Sequence, residues 1–340
     1  MNITVLISTF NRCTVLPTAL QSIAGSTLPP EVEWEVLVVD NNSTDQTRAV
    51  VEEFCRRYPG RFRYLFEPRS GKSYALNSGI RESRGEIVAF TDDDVTVEAT
   101  WLQNLTASLH DSNWAGTGGR TLPAKLVPLP SWLELGGKYN LGGTLCAHFD
   151  LGDEPCELDQ APYGANMAFR KRLFEKYGGF RTDLGASPGR EIPRPNEDTE
   201  FGRRVMAAGE RLRYEPRAIV RHPIVEDRIS KDYFLTWYFD FGRAAVLEIG
   251  PRPDILGFPR PYLTLLKAIL IMAPLRLLRW IFAWGTQERF YRKARVWQAA
   301  GEIREIHRRW FSKRAALGIF IRPSRRNRKS DAQAPGTELR

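Results

Sequence analysis

Three hundred and forty residues, 42% of them apolar, describe a globular chain, and 18 Phe, 11 Tyr and 9 Trp exclude disorder over most of its length. The formal net charge of +9 is unevenly spread: residues 260–340 carry 19 Lys and Arg against 5 Asp and Glu, leaving 30 against 35 for residues 1–259. A mildly acidic body with a basic end removes the electrostatic basis for nucleic-acid binding across the main domain.

The first ninety residues alternate apolar, β-branched runs with amphipathic stretches. Residues 3–9 predict a strand, 14–25 a helix, and 36–40 (VLVVD) a second strand. Ser43-Thr-Asp-Gln46 has the spacing of a capping box ahead of a helix ending near Tyr58. Residues 61–67 read as a third strand, 72–83 as a third helix, and 86–91 (EIVAFT) as a fourth strand running into Asp92-Asp93-Asp94. Strand and helix repeated with short links imply right-handed βαβ units and a mostly parallel sheet. Ligands of such sheets bind in the crevice at the carboxyl ends of the strands. Residues 9–12, Asp40 and the 92–94 acids all fall there.

From about 112 to 225 the pattern is mixed. Gly/Pro-rich loops at 116–130, 136–143 and 185–195 surround a short strand at 163–169; helices follow at 171–177 and 197–208, then a strand at 212–222. An aromatic-rich helix from Ser230 to about Gly250 opens a helical region reaching about Trp310, and a basic tail closes the chain. The apolar stretch 262–284 is interrupted by Lys267, Pro274, Arg276 and Arg279; its charge-free run of 268–275 is far short of the ~20 residues a bilayer span requires. Pro274 is expected to break this stretch into two helices. Its alternation of Leu, Ile, Phe and Trp with Lys and Arg suits helices at an anionic membrane interface, the plain alternative being helices packed on the catalytic domain. Four cysteines without a CxxC pair, and an N-terminus without a charged leader, lead to the expectation of a cytoplasmic protein, peripheral on the inner face of the cell membrane.

Three adjacent carboxylates after a buried strand repel one another, and a divalent cation relieves that repulsion; oxygen ligands suit Mg²⁺ or Mn²⁺. A solvated acidic turn is the alternative. Glu67-Pro-Arg-Ser-Gly-Lys-Ser73 lacks the earlier glycine of a triphosphate loop, because Phe66 stands there. Arg69 and Lys72 at a helix start oppose the macrodipole unless they meet an anion, for which a diphosphate is a natural candidate. Asp40 ends an apolar strand where it can accept hydrogen bonds from a base or ribose. Asn196-Glu197-Asp198 opens a helix with Asn196 as a candidate cap, and transfer to a hydroxyl needs one such carboxylate as general base. His222, closing its strand, is either a structural residue or a further cation ligand. Tyr163-Gly-Ala-Asn166 reads as a bulge or as backbone approach to a sugar, with Gly164 and Asn166 on the acceptor side.

Taken in order, ISTFNR (7–12), VVDNNSTDQT (38–47), GKSYALNSGI (71–80), FTDDDV (90–95), YGANMAFRK (163–171) with GGF (178–180), and NEDTEFGRRVMAAG (196–209) resemble a family 2 glycosyltransferase, of the bacterial cell-surface polysaccharide type. The resemblance covers about residues 1–225. It implies an α/β GT-A fold, a Rossmann-like, mostly parallel sheet with flanking helices, followed by a helical region over 226–310 and a basic, disordered tail over 311–340. Through it Thr9, Asn11, Asp40 and Lys72 are expected to contact the nucleotide, with Arg12, Arg69, Asn77 and Asp93 beside them. Asp92 and Asp94 would be the DxD pair, with His222 joining the cation, and Asp198, next to Glu197, would be the catalytic base. The turn after Asp40 reads Asn-Asn where many members have Asp-Gly. The string Arg276-Leu-Leu-Arg279-Trp280 lacks the Gln of the QxxRW signature of processive members, so single-sugar addition is expected.

The implied activity is a metal-dependent, inverting transfer of one sugar from a nucleoside-diphosphate sugar, UDP-sugar favoured, to a hydroxyl of a glycan or lipid-linked glycan. Two other classes share such a fold. A nucleotidyltransferase normally needs a Gly-rich basic loop, and residues 7–12 contain no glycine. A non-catalytic nucleotide-sugar-binding or scaffold protein would have no reason to keep both the triple Asp and the Glu-Asp pair.

Overall fold

The computed structural model describes residues 2–125, 127–186, 196–249 and 265–308. The loop expected at 185–195 and the tail at 311–340 fall largely or wholly outside the described residues. In chain order come β1 (Asn2–Thr9), α1 (Leu16–Ala24), β2 (Glu33–Asp40), α2 (Thr47–Arg57), β3 (Phe62–Phe66), α3 (Lys72–Glu82) and β4 (Ile87–Phe90), each on a predicted segment. Then follow β5 (Thr96–Val97), α4 (Trp101–Ala107), β6 (Gly116–Pro123), α5 (Gly142–Cys146), β7 (Cys156–Glu157), β8 (Met167–Arg170), α6 (Arg172–Tyr177), α7 (Glu197–Ala207), β9 (Leu212–His222) and α8 (Lys231–Ile249).

Among the described residues the strands form one mixed sheet in the order β3-β2-β1-β4-β8-β6-β9-β5, with β7 along β9. The β3-β2-β1-β4 part is parallel, β8 is antiparallel to both neighbours, and β6 and β9 run parallel. From β1 the chain steps out to β2 and β3, then returns on the other side as β4. That reversal opens a crevice at the carboxyl edge. Thr9 pairs with Asp40 and Leu6 with Phe90, so the polar residues after each strand emerge together.

Strands buried on both faces read as continuous apolar runs, and β1 shows why. Ile3, Val5 and Ile7 pack against Leu16, Leu20, Phe54 and Trp101 of α1, α2 and α4. The alternate residue Leu6 faces the opposite layer with Leu76, Phe174 and Phe201 of α3, α6 and α7. The sheet is therefore sandwiched between two helical layers. At Gly79 a Cβ would collide with Leu6, so glycine lets α3 lie against β1.

Several expectations are corrected. Residues 116–123, expected in a loop, form β6 inside the sheet; a Cβ at Gly116 would collide with the Phe169 ring and one at Gly119 with Asn166 and the Ala218 carbonyl, so the glycines answer to close neighbours. Ser43 does not cap α2: its Oγ accepts the Asn11 N–H at 2.9 Å, and Asp45 Oδ1 takes the Thr47 N–H at 2.9 Å. Asn196 makes no side-chain cap either, its backbone lying at φ 91°. Pro274 does not divide its stretch, because the backbone stays helical from 265 to 281 through a π-helical turn at Ala268–Met272. A wider turn accommodates proline's missing donor. The predicted strand at 163–169 starts later, at Met167, because the Asn166 N–H closes a turn on the Tyr163 carbonyl at 3.0 Å.

That turn sends Asn166 inward, away from any acceptor. Its Oδ1 accepts from Trp101 Nε1 at 2.8 Å, and its Nδ2 donates to the carbonyls of Arg120 at 2.9 Å and Ala218 at 2.8 Å. One buried carboxamide thus ties α4 to β6 and β9. Asn166→Ala leaves three buried polar groups unpaired and is expected to cost about 2–4 kcal/mol of folding stability, given about 1–3 kcal/mol for each unsatisfied buried group and partial relaxation. Urea unfolding midpoints measure this, and Asn166→Asp, which turns a buried carboxylate toward two carbonyl oxygens, should be destabilised at least as much.

Candidate active site

At the carboxyl edge the loops are tied together before any ligand arrives. Asn11, at φ 52°, accepts the Thr44 N–H on Oδ1 at 2.8 Å. Asp45 Oδ2 accepts the Cys13 N–H at 3.1 Å, so the turns after β1 and β2 hold each other. Asp40 is buried; Oδ1 accepts from the Ser43 N–H and Oδ2 from the Tyr64 hydroxyl, both at 2.9 Å. The Asn-Asn pair then divides its work. Asn42 adopts φ 67°, a left-handed conformation that glycine or Asn takes readily. Asn41 is buried, donates to the carbonyls of Glu67 at 3.3 Å and Arg69 at 2.7 Å, and accepts the Gly71 N–H at 2.8 Å. It clamps the loop that leads into α3.

On that loop Arg69 is held by a bidentate pair with buried Glu67, both arms at 2.8 Å, and its guanidinium lies 4.9 Å from the Tyr74 ring centre. The arginine expected to meet a diphosphate therefore already has a carboxylate partner. Lys72, at the start of α3, reaches Asp92 at 2.8 Å and Glu197 at 3.6 Å. Asp94 lies 3.8 Å from both Arg12 Nη2 and His222 Nε2. Asp198 accepts the Gly164 N–H on Oδ2 and the Thr199 N–H on Oδ1, both at 2.6 Å. A Cβ at position 164 would sit 3.0 Å from Asp198 Oδ2, which is why a glycine serves there.

Burial works against the charge on each of these groups, and their mutual arrangement decides which keep it. It would lower Lys72, but Asp92 and Glu197 hold the ammonium well above its ordinary value. It would raise Asp92, but Lys72 and His222 outweigh it and keep the carboxylate ionised. For Asp93 burial wins, reinforced by Asp94 and Asp92, and its carboxyl is pushed up to about 6. Glu197 is likewise raised, by burial and then by Asp198, against the pull of Lys72.

His222 Nδ1 lies 2.9 Å from the Pro223 carbonyl, which can only accept, so Nδ1 carries the proton. In the neutral ring the Nε2 lone pair then faces the Asp94 oxygen, an arrangement of two acceptors that suits a cation between them. Among the described residues no three His, Cys, Asp or Glu side chains gather as a ready-made metal cage. Asp94 and His222 are donors of the kind a hard divalent ion accepts, and Asp92 stands near them on Lys72.

A chain that converges these loops on one edge can be compared with known proteins. Residues 4–178, half of its length, match the family model described as glycosyl transferase family 2. The chain belongs to that family. It is 27% identical over 231 residues to the succinoglycan biosynthesis protein ExoM of Rhizobium meliloti (strain 1021), covering 68% of this chain and 69% of ExoM. To the probable glycosyltransferase YdaM of Bacillus subtilis (strain 168) it is 28% identical over 233 residues, 64% of this chain but only 49% of YdaM. Among solved structures it resembles the mannosyltransferase PcManGT from Pyrobaculum calidifontis, solved with GDP-Man and Mn²⁺, with a TM-score of 0.57 at 20% identity over 89% of this chain and 86% of that one. The fold of this family 2 glycosyltransferase chain is thus GT-A.

Within this glycosyltransferase the singled-out residues do not all meet. Lys72, Asp92, Gly164, Glu197 and Asp198 line one cavity of about 730 Å³. Asn77 is engaged elsewhere. Its Nδ2 donates to the Phe180 carbonyl at 2.7 Å and its Oδ1 accepts the Phe180 N–H at 2.8 Å, pinning the GGF loop. Thr9 is buried, its carbonyl accepting the Asn41 N–H at 2.8 Å. Sequence reasoning gave no role to Asn41 and Glu67, which lie one residue from Asp40 and two from Arg69.

Glu67 offers a measurable consequence. Arg69, and then Ser78 against the opposing effect of burial, holds its carboxyl down at about 2, below the ordinary 4.5. A lowered folded-state value means the stabilisation is full above the unfolded value and is lost as pH falls toward 2. Glu67→Gln should therefore be less stable than the parent at pH 6, and the gap should narrow between pH 4.5 and pH 2. Denaturation midpoints across that range measure it.

Proposed function

We propose that the chain catalyses an inverting transfer of one sugar from a nucleoside-diphosphate sugar to a hydroxyl on a glycan or lipid-linked glycan, with UDP-sugar as the favoured donor class. The observation that carries this reading is the Asp198 carboxylate, fixed by two N–H bonds of 2.6 Å in the lining of a cavity that also contains the Lys72–Asp92 pair. A carboxylate held that way is oriented to accept a proton without having to move.

In the reaction the acceptor hydroxyl gives its proton to Asp198 as its oxygen bonds to the anomeric carbon. The bond from that carbon to the diphosphate breaks on the opposite face, so the anomeric centre inverts. Lys72 and Arg12 bring positive charge to the departing diphosphate. Asp92, Asp94 and His222 would hold a divalent cation, Mn²⁺ or Mg²⁺, which when bound neutralises that leaving charge. Thr9, Asn11, Asp40 and Asp93 are assigned to the nucleotide side. Similarity to ExoM supports a cell-surface polysaccharide as the product class.

Asp198→Asn is expected to lower transfer at least about a hundredfold, within the range a positioned general base supplies. Its melting-point shift with nucleoside diphosphates and Mn²⁺ should stay near that of the parent. Equal loss of both would remove the assigned role, and a product of retained configuration would remove the inverting mechanism. Release of pyrophosphate instead of nucleoside diphosphate would favour a nucleotidyltransferase; neither product, a scaffold.

The helical region supports a membrane-adjacent acceptor. Among the described residues no helix is long and apolar enough to cross a membrane. Yet Leu270, Ile271, Leu278, Ile281, Phe282 and Trp284 are all at least half exposed, Trp284 at 87%. A patch of that kind, in a segment rich in Lys and Arg, suits partial insertion into an anionic lipid surface. The full chain should float with anionic vesicles at low salt, and a Leu270→Glu, Phe282→Glu, Trp284→Glu triple variant should not. Concentration-dependent self-association without vesicle binding would assign the patch to a second copy instead.

A further inference from the structure

The cavity beside Asp198 is not closed by the sheet and its helices alone. Its outer wall is α8 and the closing helix Thr286–His307. Trp237 and the adjacent Tyr238 each stand about one helical turn before Phe241 on α8, and Arg295 comes from the closing helix. This wall is rigidly set. A Cβ at Gly242 would collide with the Gln298 carbonyl, and one at Gly301 with the Phe239 carbonyl, so the two helices cross with backbones in contact. Arg243 Nε reaches buried Glu305 at 3.3 Å across the crossing. Arg181 donates to the last carbonyls of α8, Leu247 and Glu248, at 3.0 Å each. The Trp237 and Phe241 rings stack at 5.1 Å with 14° between planes.

The cations along the cavity differ in one respect. Lys72 is engaged by Asp92 at 2.8 Å and Arg203 by Glu248 at 2.7 Å. Among the described residues Arg295 is the one lining cation without a carboxylate partner, although it is half-buried and contributes to the field at Tyr238. A half-buried guanidinium beside an aromatic wall gains more from an anion, which meets its forked donors with charge assistance, than from a neutral hydroxyl.

We propose that the part of this cavity walled by α8 and the closing helix is the acceptor subsite, that the accepting sugar rests on Trp237 and Tyr238, and that Arg295 selects an acceptor carrying a carboxylate or phosphate. This rests on the transferase reading above, and it assigns specificity to residues outside the donor site. The test uses the full chain, without divalent cation, titrated by saturation-transfer NMR with methyl β-glucoside, methyl β-glucuronide and glucose 6-phosphate. The parent should bind at least one acidic probe about tenfold more tightly than the glucoside, the scale of one charge-assisted bond. Arg295→Gln, checked for an unchanged melting point, should bring that ratio close to one and leave glucoside binding as it was. Trp237→Ala should weaken all three. The glucuronide and phosphate arms tell which anion is read.

Equal binding of the three probes by the parent, a preference that survives Arg295→Gln, or no binding at all would each overturn the proposal. Nucleoside-diphosphate binding in the same samples, restored with Mn²⁺, separates the two levels. If it fails while the Arg295-dependent preference holds, the transferase reading falls and the anion site stands; the opposite result removes the subsite alone.

Discussion

Five carboxyl groups, Asp92, Asp93, Asp94, Glu197 and Asp198, crowd one edge of a single sheet; burial raises Asp93 and Glu197, and the charge that remains is kept there by nearby positive charge. Lys72 does most of this, at 2.8 Å from Asp92 and 3.6 Å from Glu197. A lysine at a helix start works against the helix dipole, so α3 begins there at a cost that the carboxylates offset. The position of Lys72 in turn depends on Gly71 and on the Asn41 clamp, which holds residues 67–71 to the end of β2. Arg12 extends the compensation to Asp94 at longer range. The loops of the donor edge can thus be understood as scaffolding for one electrostatic balance.

Much of this was legible in the residues. The β1 to β4 alternation is visible because strands buried on both faces must be apolar throughout, and the triple Asp stands out against such a strand. What escaped was whatever depends on contacts distant in sequence. The glycines of β6 look like a loop until Phe169 and Asn166 are seen pressing against them. Asn166 and Asn77 look like ligand-binding amides, and nothing local says that Trp101 and Phe180 consume them. The Ser43–Gln46 spacing fits a cap, yet the neighbouring turn claims the serine. In each case a polar or small residue had two plausible partners, one nearby and one remote, and the remote one prevailed.

The helical region is more than an appendage. Leu133, Leu141 and Leu145 share a buried cluster with Phe234, Leu235, Tyr238, Phe290 and Ala294, so residues 129–145 belong to the same core as α8 and the closing helix. Arg276 bonds Glu302 at 3.2 Å, which fastens the apolar 266–284 segment to that core. The cavity at the sheet edge, its helical wall and the exposed apolar ridge are packed into one continuous body.

That shared core has an evolutionary consequence. The helical half of the molecule is discontinuous along the gene, being drawn from an excursion in the middle of the sheet domain and, among the described residues, from α8 and the closing helix. Recombination at the chain's apparent joint, just past residue 225, would transplant one half of an apolar core without its complement and strand Leu133, Leu141 and Leu145 in water. If α8 and the closing helix read the acceptor as proposed, its preference can drift by point substitution there, while wholesale exchange of the C-terminal half is penalised unless the excursion travels with it.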